Sequence, residues 1–134
     1  MAHLDLRNLV SLNLDWLPIT DAGLKSLPDL PSLSTLQLTG TQVTGPGLSR
    51  LVAFRNLASL LLNGSAVTDE GLGHLAGAKS LMVLSLDGMP LTGAGLKHVN
   101  TLPRLNHLSI RGCQVPYVDV AQIKEAAPTL RIER

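Results

Sequence analysis

Two stretches of the chain decide how it folds: LTGTQVTGPGL at Leu38–Leu48 and LNGSAVTDEGL at Leu62–Leu72. They share a leucine, a glycine two positions later, a Val-Thr pair and a final Gly-Leu pair, and they differ at every other position. The shared residues recur at one constant interval, from Leu38 to Leu62 and from Leu48 to Leu72. Identical residues at a fixed interval, with different residues between them, are typical of an internal repeat.

The same interval extends over most of the chain and defines a 24-residue repeat. One leucine column consists of Leu9, Leu33, Leu57, Leu81 and Leu105. Two further apolar columns are Leu12, Leu36, Leu60, Leu84 and Leu108, and Leu14, Leu38, Leu62, Leu86 and Ile110. Glycine recurs in a first column, Gly40, Gly64, Gly88 and Gly112, and in a second, Gly23, Gly47, Gly71 and Gly95. We therefore number five repeats, which begin at the residues of the first leucine column.

Each repeat predicts a short strand followed by a short helix. Alternating leucines place one side of a strand inward, and threonines at 20, 44, 68 and 92 stand where a helix N-cap is favoured. We predict strands near 10–14, 34–38, 58–62, 82–86 and 106–110, short helices that begin near 21, 45, 69 and 93, and a longer helix over about 118–127. Since neither element can bury its leucines alone, neighbouring repeats must stack.

The repeat resembles the leucine-rich repeat family. ITDAGL at Ile19–Leu24 and VTDEGL at Val67–Leu72 are similar to the cysteine-containing subtype and its bacterial relatives. The resemblance implies an α/β right-handed solenoid with a parallel concave sheet, short convex helices and a C-terminal capping helix. The family places Asn or Cys at one loop position, which is here Leu17, Thr41, Ser65, Met89 and Cys113. Because leucine and methionine offer no comparable polar group there, we expect no continuous ladder of side-chain hydrogen bonds.

The two ends of the chain predict its domain organisation. We expect one domain over residues 1–134, with residues 1–8 as the tail of a preceding repeat and residues 116–134 as a C-terminal cap. The chain would then be the C-terminal fragment of a longer protein. Leu4, Leu6, Leu9 and Leu12 would leave an apolar edge at the first repeat, and we expect isolated chains to associate through it.

Composition argues against several classes of function. The net charge of +1 gives no electrostatic signature of binding to nucleic acid or an anionic membrane, and the 2% aromatic content leaves little for base stacking. A single cysteine excludes an internal disulfide framework. No apolar run approaches the length of a membrane span, so we expect a soluble protein, with a cytoplasmic location favoured and a secreted parent left open.

No set of residues predicts catalysis, a metal or a cofactor. The glycine-rich stretches lack the Lys-Ser or Lys-Thr that a phosphate-binding loop needs. Cys113 and its candidate base, His107, are expected on opposite sides of one repeat. His74 and His98 share a convex column near Glu70, which keeps a zinc site as an alternative, but a solvated convex face is preferred because two imidazoles lack a third protein ligand.

The candidate binding residues lie between the inward leucines, in three columns of the concave side. The first is Ser11, Thr35, Ser59, Val83 and His107; the second is Asn13, Gln37, Leu61, Ser85 and Ser109; the third is Asp15, Thr39, Asn63, Asp87 and Arg111. From these we predict a partner-binding surface of Asn13, Asp15, Gln37, Thr39, Leu61, Asn63, Val83, Asp87, His107 and Arg111. We also predict an ion pair between Asp87 and Arg111. Trp16, in the first glycine column, is either a further anchor or a cover for the first repeat.

Three classes of function remain in order of preference. A non-catalytic scaffold that binds a protein through the concave sheet comes first, as the resemblance implies. Within that class, a substrate-receptor role, as in ubiquitin-ligase-like or effector proteins, is an alternative. A spacer segment between other domains comes second. An enzyme comes last, since no nucleophile, base and orienting group can be assembled on neighbouring columns.

Overall fold

The fold is an open sheet of short parallel strands with helices on one side. The computed structural model describes residues 6–134. Its strands are β1 Ser11–Asn13, β2 Thr35–Gln37, β3 Ser59–Leu61, β4 Val83–Ser85, β5 His107–Ser109 and β6 Arg131–Glu133. They pair in chain order, and every register places partners one repeat apart, as in Ser11 opposite Thr35. The predicted strands and the predicted interval are confirmed.

The helices lie where the repeat predicts them. They are α1 Asp21–Lys25, a 3₁₀ helix over Pro46–Ala53, α2 Asp69–Leu72 continued by a 3₁₀ turn over Gly73–Leu75, α3 Gly93–Val99 and α4 Tyr117–Ala126. Together with the sheet, they confirm the predicted α/β repeat architecture. None of the helices formed by residues 6–134 has the length and apolar character needed to cross a membrane.

Threonine caps three of these helices. The hydroxyl oxygens of Thr20, Thr68 and Thr92 each accept a hydrogen bond from a backbone N–H in the first turn, as predicted. The same prediction is wrong for Thr44. Its hydroxyl donates to Asp21 Oδ2 at 2.7 Å, and the helix that follows starts at Pro46 as a 3₁₀ helix, without a side-chain cap from the described residues.

The core lies between the sheet and the helices, and its side chains are more completely buried in the middle repeats than in the first repeat. Leu36, Leu60 and Leu84 are fully buried, whereas Leu12 in the same column is only partly buried. Leu6 and Leu9 are also partly buried. Leu4, the remaining member of the predicted apolar edge, lies outside the described residues, as does most of the predicted tail at 1–8.

The C-terminal segment covers the last repeat. Val120 and Ile123 of α4 are buried in the core, and α4 packs against α3. Leu130 is buried just before β6, which adds a sixth strand beside β5. The helix expected from this segment is therefore present, and a strand follows it.

The two glycine columns have different physical roles. Gly40, Gly64, Gly88 and Gly112 adopt φ between 61° and 76°, the left-handed conformation that glycine tolerates best. The second column permits close approach of neighbouring repeats. A Cβ on Gly47 would lie 2.8 Å from Asp21 Cα, and one on Gly71 would collide with the Thr44 carbonyl oxygen.

We predict that Gly71→Ala destabilises the protein and that Gly23→Ala does not. A methyl group at 71 also meets Gly45 Cα at 2.9 Å, so the two repeats must separate, and the free energy of unfolding should fall by about 1–3 kcal/mol. At Gly23 the nearest neighbour is Ile19 Cγ2 at 3.7 Å, an ordinary contact. Alanine there should leave stability unchanged or raise it by about 0.5–1 kcal/mol. Urea unfolding measures both variants, and equal unfolding free energies would contradict the close-approach role.

Candidate functional site

The concave face of the sheet presents the first two predicted columns on one surface. Leu36, Leu60 and Leu84 face the core, so the residues on either side of them in each strand face outward. Leu61 lies on β3 and Val83 on β4, and both are partly exposed. Their register partners are Ser85 and Ser59 respectively, which makes Leu61 and Val83 diagonal neighbours. They form an apolar centre among small polar side chains.

The third column differs from the other two because its aspartate and asparagine side chains accept hydrogen bonds from the next repeat. Asp15 Oδ1 accepts a hydrogen bond from the backbone N–H of Thr39 at 2.8 Å. Asn63 Oδ1 accepts in the same way from Asp87 N at 2.8 Å. These residues lie just beyond the strand ends, and their oxygens bridge to the turn of the following repeat. Much of their hydrogen-bonding capacity is therefore used within the protein.

Hydroxyl groups of the second column reinforce these contacts. Ser85 Oγ donates to Asn63 Oδ1 at 2.6 Å, and Ser109 Oγ donates to Asp87 Oδ1 at 2.5 Å. The same Asp87 oxygen accepts from the backbone N–H of Arg111 at 2.8 Å. Asn63 and Asp87 thus form the same arrangement. Each side-chain oxygen accepts one hydrogen bond from a serine hydroxyl and one from a backbone N–H, both in the next repeat.

The predicted ion pair between Asp87 and Arg111 is wrong. The Arg111 guanidinium instead pairs with Glu133 Oε2 at 2.6 Å, and the hydrogen bond that Asp87 accepts from Arg111 comes from the backbone N–H of Arg111. Glu133 Oε1 also lies 3.4 Å from Nε2 of His107. Because β6 adds a strand beside β5, it supplies a carboxylate that the five-repeat pattern does not contain. Glu133 was missed because the C-terminal segment was interpreted only as a cap.

A second recurring contact lies at the start of the helices and was also missed. Asp21 accepts four hydrogen bonds from the next repeat: from Thr44 N at 3.0 Å, Thr44 Oγ1 at 2.7 Å, Gly45 N at 3.1 Å and Gly47 N at 2.7 Å. Asp69 repeats part of this arrangement and accepts from Thr92 N at 2.9 Å and Thr92 Oγ1 at 2.7 Å. The sequence feature that could have revealed these contacts is the aspartate shared by ITDAGL and VTDEGL.

The environment of Asp21 favours its charged form. Burial disfavours the carboxylate and by itself would raise the pKa. The hydroxyl of Thr44 and the backbone N–H groups of Gly47, Thr44 and Gly45 outweigh burial and lower the pKa of Asp21 from 3.8 to about 2. The folded state is therefore stabilised by ionised Asp21.

The loop position that the family fills with Asn or Cys holds an interrupted set of contacts. Thr41 Oγ1 donates within its own turn to the Leu38 carbonyl at 2.8 Å. Met89 was expected to contribute nothing, but its sulfur accepts from Ser65 Oγ at 3.8 Å, so that expectation is wrong. Cys113 Sγ donates to the Leu86 carbonyl at 3.0 Å.

Cys113 has the environment of a structural residue. It is partly buried, and burial raises the pKa of its thiol, so the thiol stays protonated at neutral pH. Its hydrogen bond runs to Leu86, whereas the imidazole of His107 faces Glu133. The two side chains therefore do not act together.

The histidines of the convex side do not assemble a metal centre with other ligands. His74 and His98 are both exposed, and the His98 ring lies over Gly73. Within residues 6–134, no three His, Cys, Asp or Glu side chains are grouped so that they could hold a metal ion.

Trp16 lies at the open end of the concave side. It adopts φ 65° in the turn after β1, like the glycines of its column, and its ring packs over Gly40 of the second repeat. The residue remains 76% exposed. The ring therefore covers backbone of the next turn and still offers a large apolar surface to solvent.

Comparisons with known proteins agree with this architecture. The family model described as Leucine Rich repeat matches residues 5–27 and 29–52. No curated protein matches the sequence. Among solved structures, a leucine-rich repeat protein of Leptospira interrogans is 20% identical with a TM-score of 0.58, and the match covers 96% of this chain and 38% of that one.

A second solved structure is internalin C2 of Listeria monocytogenes. It is 24% identical with a TM-score of 0.58, and the match covers 95% of this chain and 62% of that one. This chain thus spans less than two thirds of the length of either protein. At such identities the likeness shows the fold alone. The family model matches two of the repeats, and the likeness to these two bacterial proteins shows the leucine-rich repeat fold.

We predict that Asp21→Asn lowers the free energy of unfolding by about 1–3 kcal/mol at neutral pH. An asparagine keeps one acceptor oxygen, but its amide nitrogen cannot accept from Thr44. Asp29→Asn is the matched control because Asp29 pairs with Arg50 at 3.0 Å while its side chain is 93% exposed. That variant should lose less than about 1 kcal/mol. Urea unfolding provides the comparison, and equal losses would contradict the role assigned to Asp21.

The effect of Asp21→Asn should also depend on pH with a defined sign. Because the folded state lowers the pKa from 3.8 to about 2, ionised Asp21 contributes its full stabilisation above about pH 4. That contribution is lost as the pH falls through about 2, and the difference between the wild type and the variant should shrink over this interval. A difference that stays constant from neutral pH to pH 2 would contradict this assignment.

Proposed function

We propose that this chain is a non-catalytic scaffold that binds a protein partner through the concave sheet. The observation that carries the proposal is the residue-by-residue register of the strands, which places the side chains of successive repeats on one open surface. Leucine-rich repeat proteins are commonly protein-interaction modules, and solenoids use extended concave surfaces for binding. A partner can contact several strands there without disturbing the leucines behind them.

The centre of the proposed site is the apolar pair Leu61 and Val83. An apolar centre with a polar rim is the usual composition of a protein interface. Gln37 and Asn13 lie on β2 and β1, to one side of this centre, and His107 lies on β5, to the other. These side chains can adjust to a partner at the edge of the contact.

The third column has a different role in this proposal. Asp15, Asn63 and Asp87 already accept hydrogen bonds from the next repeat, so they hold the strand ends in place beneath a partner. Thr39 and Arg111 stand in the same column, and Arg111 is exposed beside Glu133. We expect the partner to contact these residues at the margin of the interface.

Two contacts support a role without catalysis. The His107 imidazole faces a carboxylate of β6, and the Cys113 thiol donates to a backbone carbonyl on the other side of the repeat. Within the described part of the chain, neither residue has a partner that would activate a nucleophile. The proposal requires no cofactor, no nucleic acid and no membrane insertion.

We also propose that the chain forms a single domain with α4 and β6 as its C-terminal cap. One cluster of buried side chains extends from Leu24 of the first repeat to Leu130 beside β6, which supports one core rather than two. The cap supplies the cover that a terminal repeat needs.

The test of the binding proposal replaces both central residues, Leu61→Glu and Val83→Glu, in one variant. Charge at the apolar centre should abolish specific partner retention because a buried carboxylate in an interface is left unpaired. Quantitative affinity capture should compare the wild type, this variant and a convex control with His74→Glu and Val118→Glu, whose residues are exposed on the helical side.

We expect proteins retained by the wild type to be retained by the convex control and lost by the concave variant. Thermal unfolding of each variant checks that the fold is kept, since substitutions at the surface usually change stability by no more than about 0.5 kcal/mol. Retention by the concave variant together with loss by the control would place binding on the helices. Equal retention by all three would favour the spacer alternative.

A further inference from the structure

A basic cleft lies beside the concave sheet, at the entry to the strands of the later repeats. Its volume is about 340 Å³, and it is lined by Val52, Arg55, Gly77, Lys79, Ser80, Pro103 and Arg104. Ser80 precedes β4 by three residues and Arg104 precedes β5 by three, so the cleft belongs to the segments that lead from the helices into the sheet. It shares no residue with the proposed concave site.

Three cations from successive repeats meet in this cleft. Arg55 and Lys79 occupy one column of the 24-residue repeat, and Arg104 stands one position further on in the next repeat. Adjacent repeats are about 4.8 Å apart at the sheet, which brings like charges close together. All three side chains belong to exposed residues, and no carboxylate of residues 6–134 lines the cleft.

Several carboxylates of the chain are used elsewhere. Asp21 and Asp69 bond to the starts of neighbouring helices, Asp87 bonds to the sheet and Glu133 pairs with Arg111. Among residues 6–134, none of the three cleft cations forms a hydrogen bond or ion pair through its side chain. The cleft thus has an uncompensated positive charge although the net charge of the chain is only +1.

We propose that this cleft binds an acidic segment of a protein, through aspartate or glutamate side chains. Carboxylates placed between the cations would relieve their mutual repulsion and form charge-assisted hydrogen bonds. Alternate side chains of an extended peptide are about 7 Å apart, so two carboxylates can reach three cations spread over two repeat intervals.

The remaining lining favours a peptide over a nucleic acid. Val52 and Pro103 offer apolar contacts for the aliphatic stems of acidic side chains, and Ser80 adds a hydroxyl group. No aromatic side chain from the described residues lines the cleft, so bases would have no stacking platform. The volume also suits a few side chains rather than a longer polymer.

The test measures binding of fluorescein-labelled hexaglutamate to the 134-residue chain by fluorescence anisotropy. The triple variant Arg55→Gln, Lys79→Gln and Arg104→Gln should raise Kd about tenfold, since each exposed ion pair contributes roughly a factor of two to three. Binding by the wild type should weaken as salt is raised, because exposed charges are screened. Labelled hexaserine should not bind.

The matched control removes the same amount of charge from scattered positions. Lys25, Lys97 and Arg131 are exposed cations outside the cleft, and replacing all three with glutamine should change Kd less than about twofold. An equal loss in both triple variants would overturn the proposal, because net charge alone would then explain binding. Unchanged binding in the cleft variant would overturn it as well.

Two further measurements distinguish the remaining outcomes. Neutralising neighbouring like charges should keep or raise the Tm of the cleft variant. If that variant does not fold, Lys79→Gln alone should raise Kd about twofold. A single-stranded oligonucleotide that binds more tightly than hexaglutamate and depends on the same three cations would replace the acidic peptide as the occupant and overturn the assignment.

Discussion

The structure depends on one constraint: no repeat can bury its own leucines. Leu60 and Leu84 are completely buried because each lies between two neighbouring repeats, while Leu12, in the first repeat, is only partly buried. The constant length of the repeat keeps each leucine beside its counterpart, and the strands therefore pair in a single register. The absence of a side chain at Gly71 follows from the same requirement, since a larger residue would separate the repeats.

Polar contacts between repeats are directional, and they supplement the non-directional apolar stacking. Asp21 and Asp69 fix the helix side, while Asn63 and Asp87 fix the sheet side, each by accepting from groups in the next repeat. Such contacts satisfy backbone N–H groups that the short strands and helices leave without partners. They also limit what the concave face can offer a ligand. In the proposed function, the apolar centre and its neighbours on the strands therefore form most of the recognition surface, with the third column at its margin.

Most of the fold could be predicted from the sequence, whereas much of the site could not. Strand positions follow from leucines repeated at one interval, and the left-handed turns follow from glycine at Gly40 and Gly64. The bonds of Asp21 could not be predicted, because its partners lie 23 to 26 residues away and its side chain resembles a solvated first-turn residue. The prediction that Thr44 caps a helix was wrong for the same reason, because its hydroxyl bonds to Asp21 of the preceding repeat. Arg111 was assigned to Asp87 because its real partner, Glu133, lies beyond the repeats.

Native-state hydrogen exchange at two equivalent amides tests most directly whether stacking stabilises each repeat. The N–H groups of Leu14 and Leu62 occupy one column and form hydrogen bonds of the same length, 2.9 Å, to Gln37 and Ser85. They differ in position, since Leu62 has a repeat on both sides and is fully buried while Leu14 is only partly buried. If neighbouring repeats supply the stability, Leu62 should exchange about tenfold more slowly or slower still. Equal exchange at the two amides, or faster exchange at Leu62, would contradict the account.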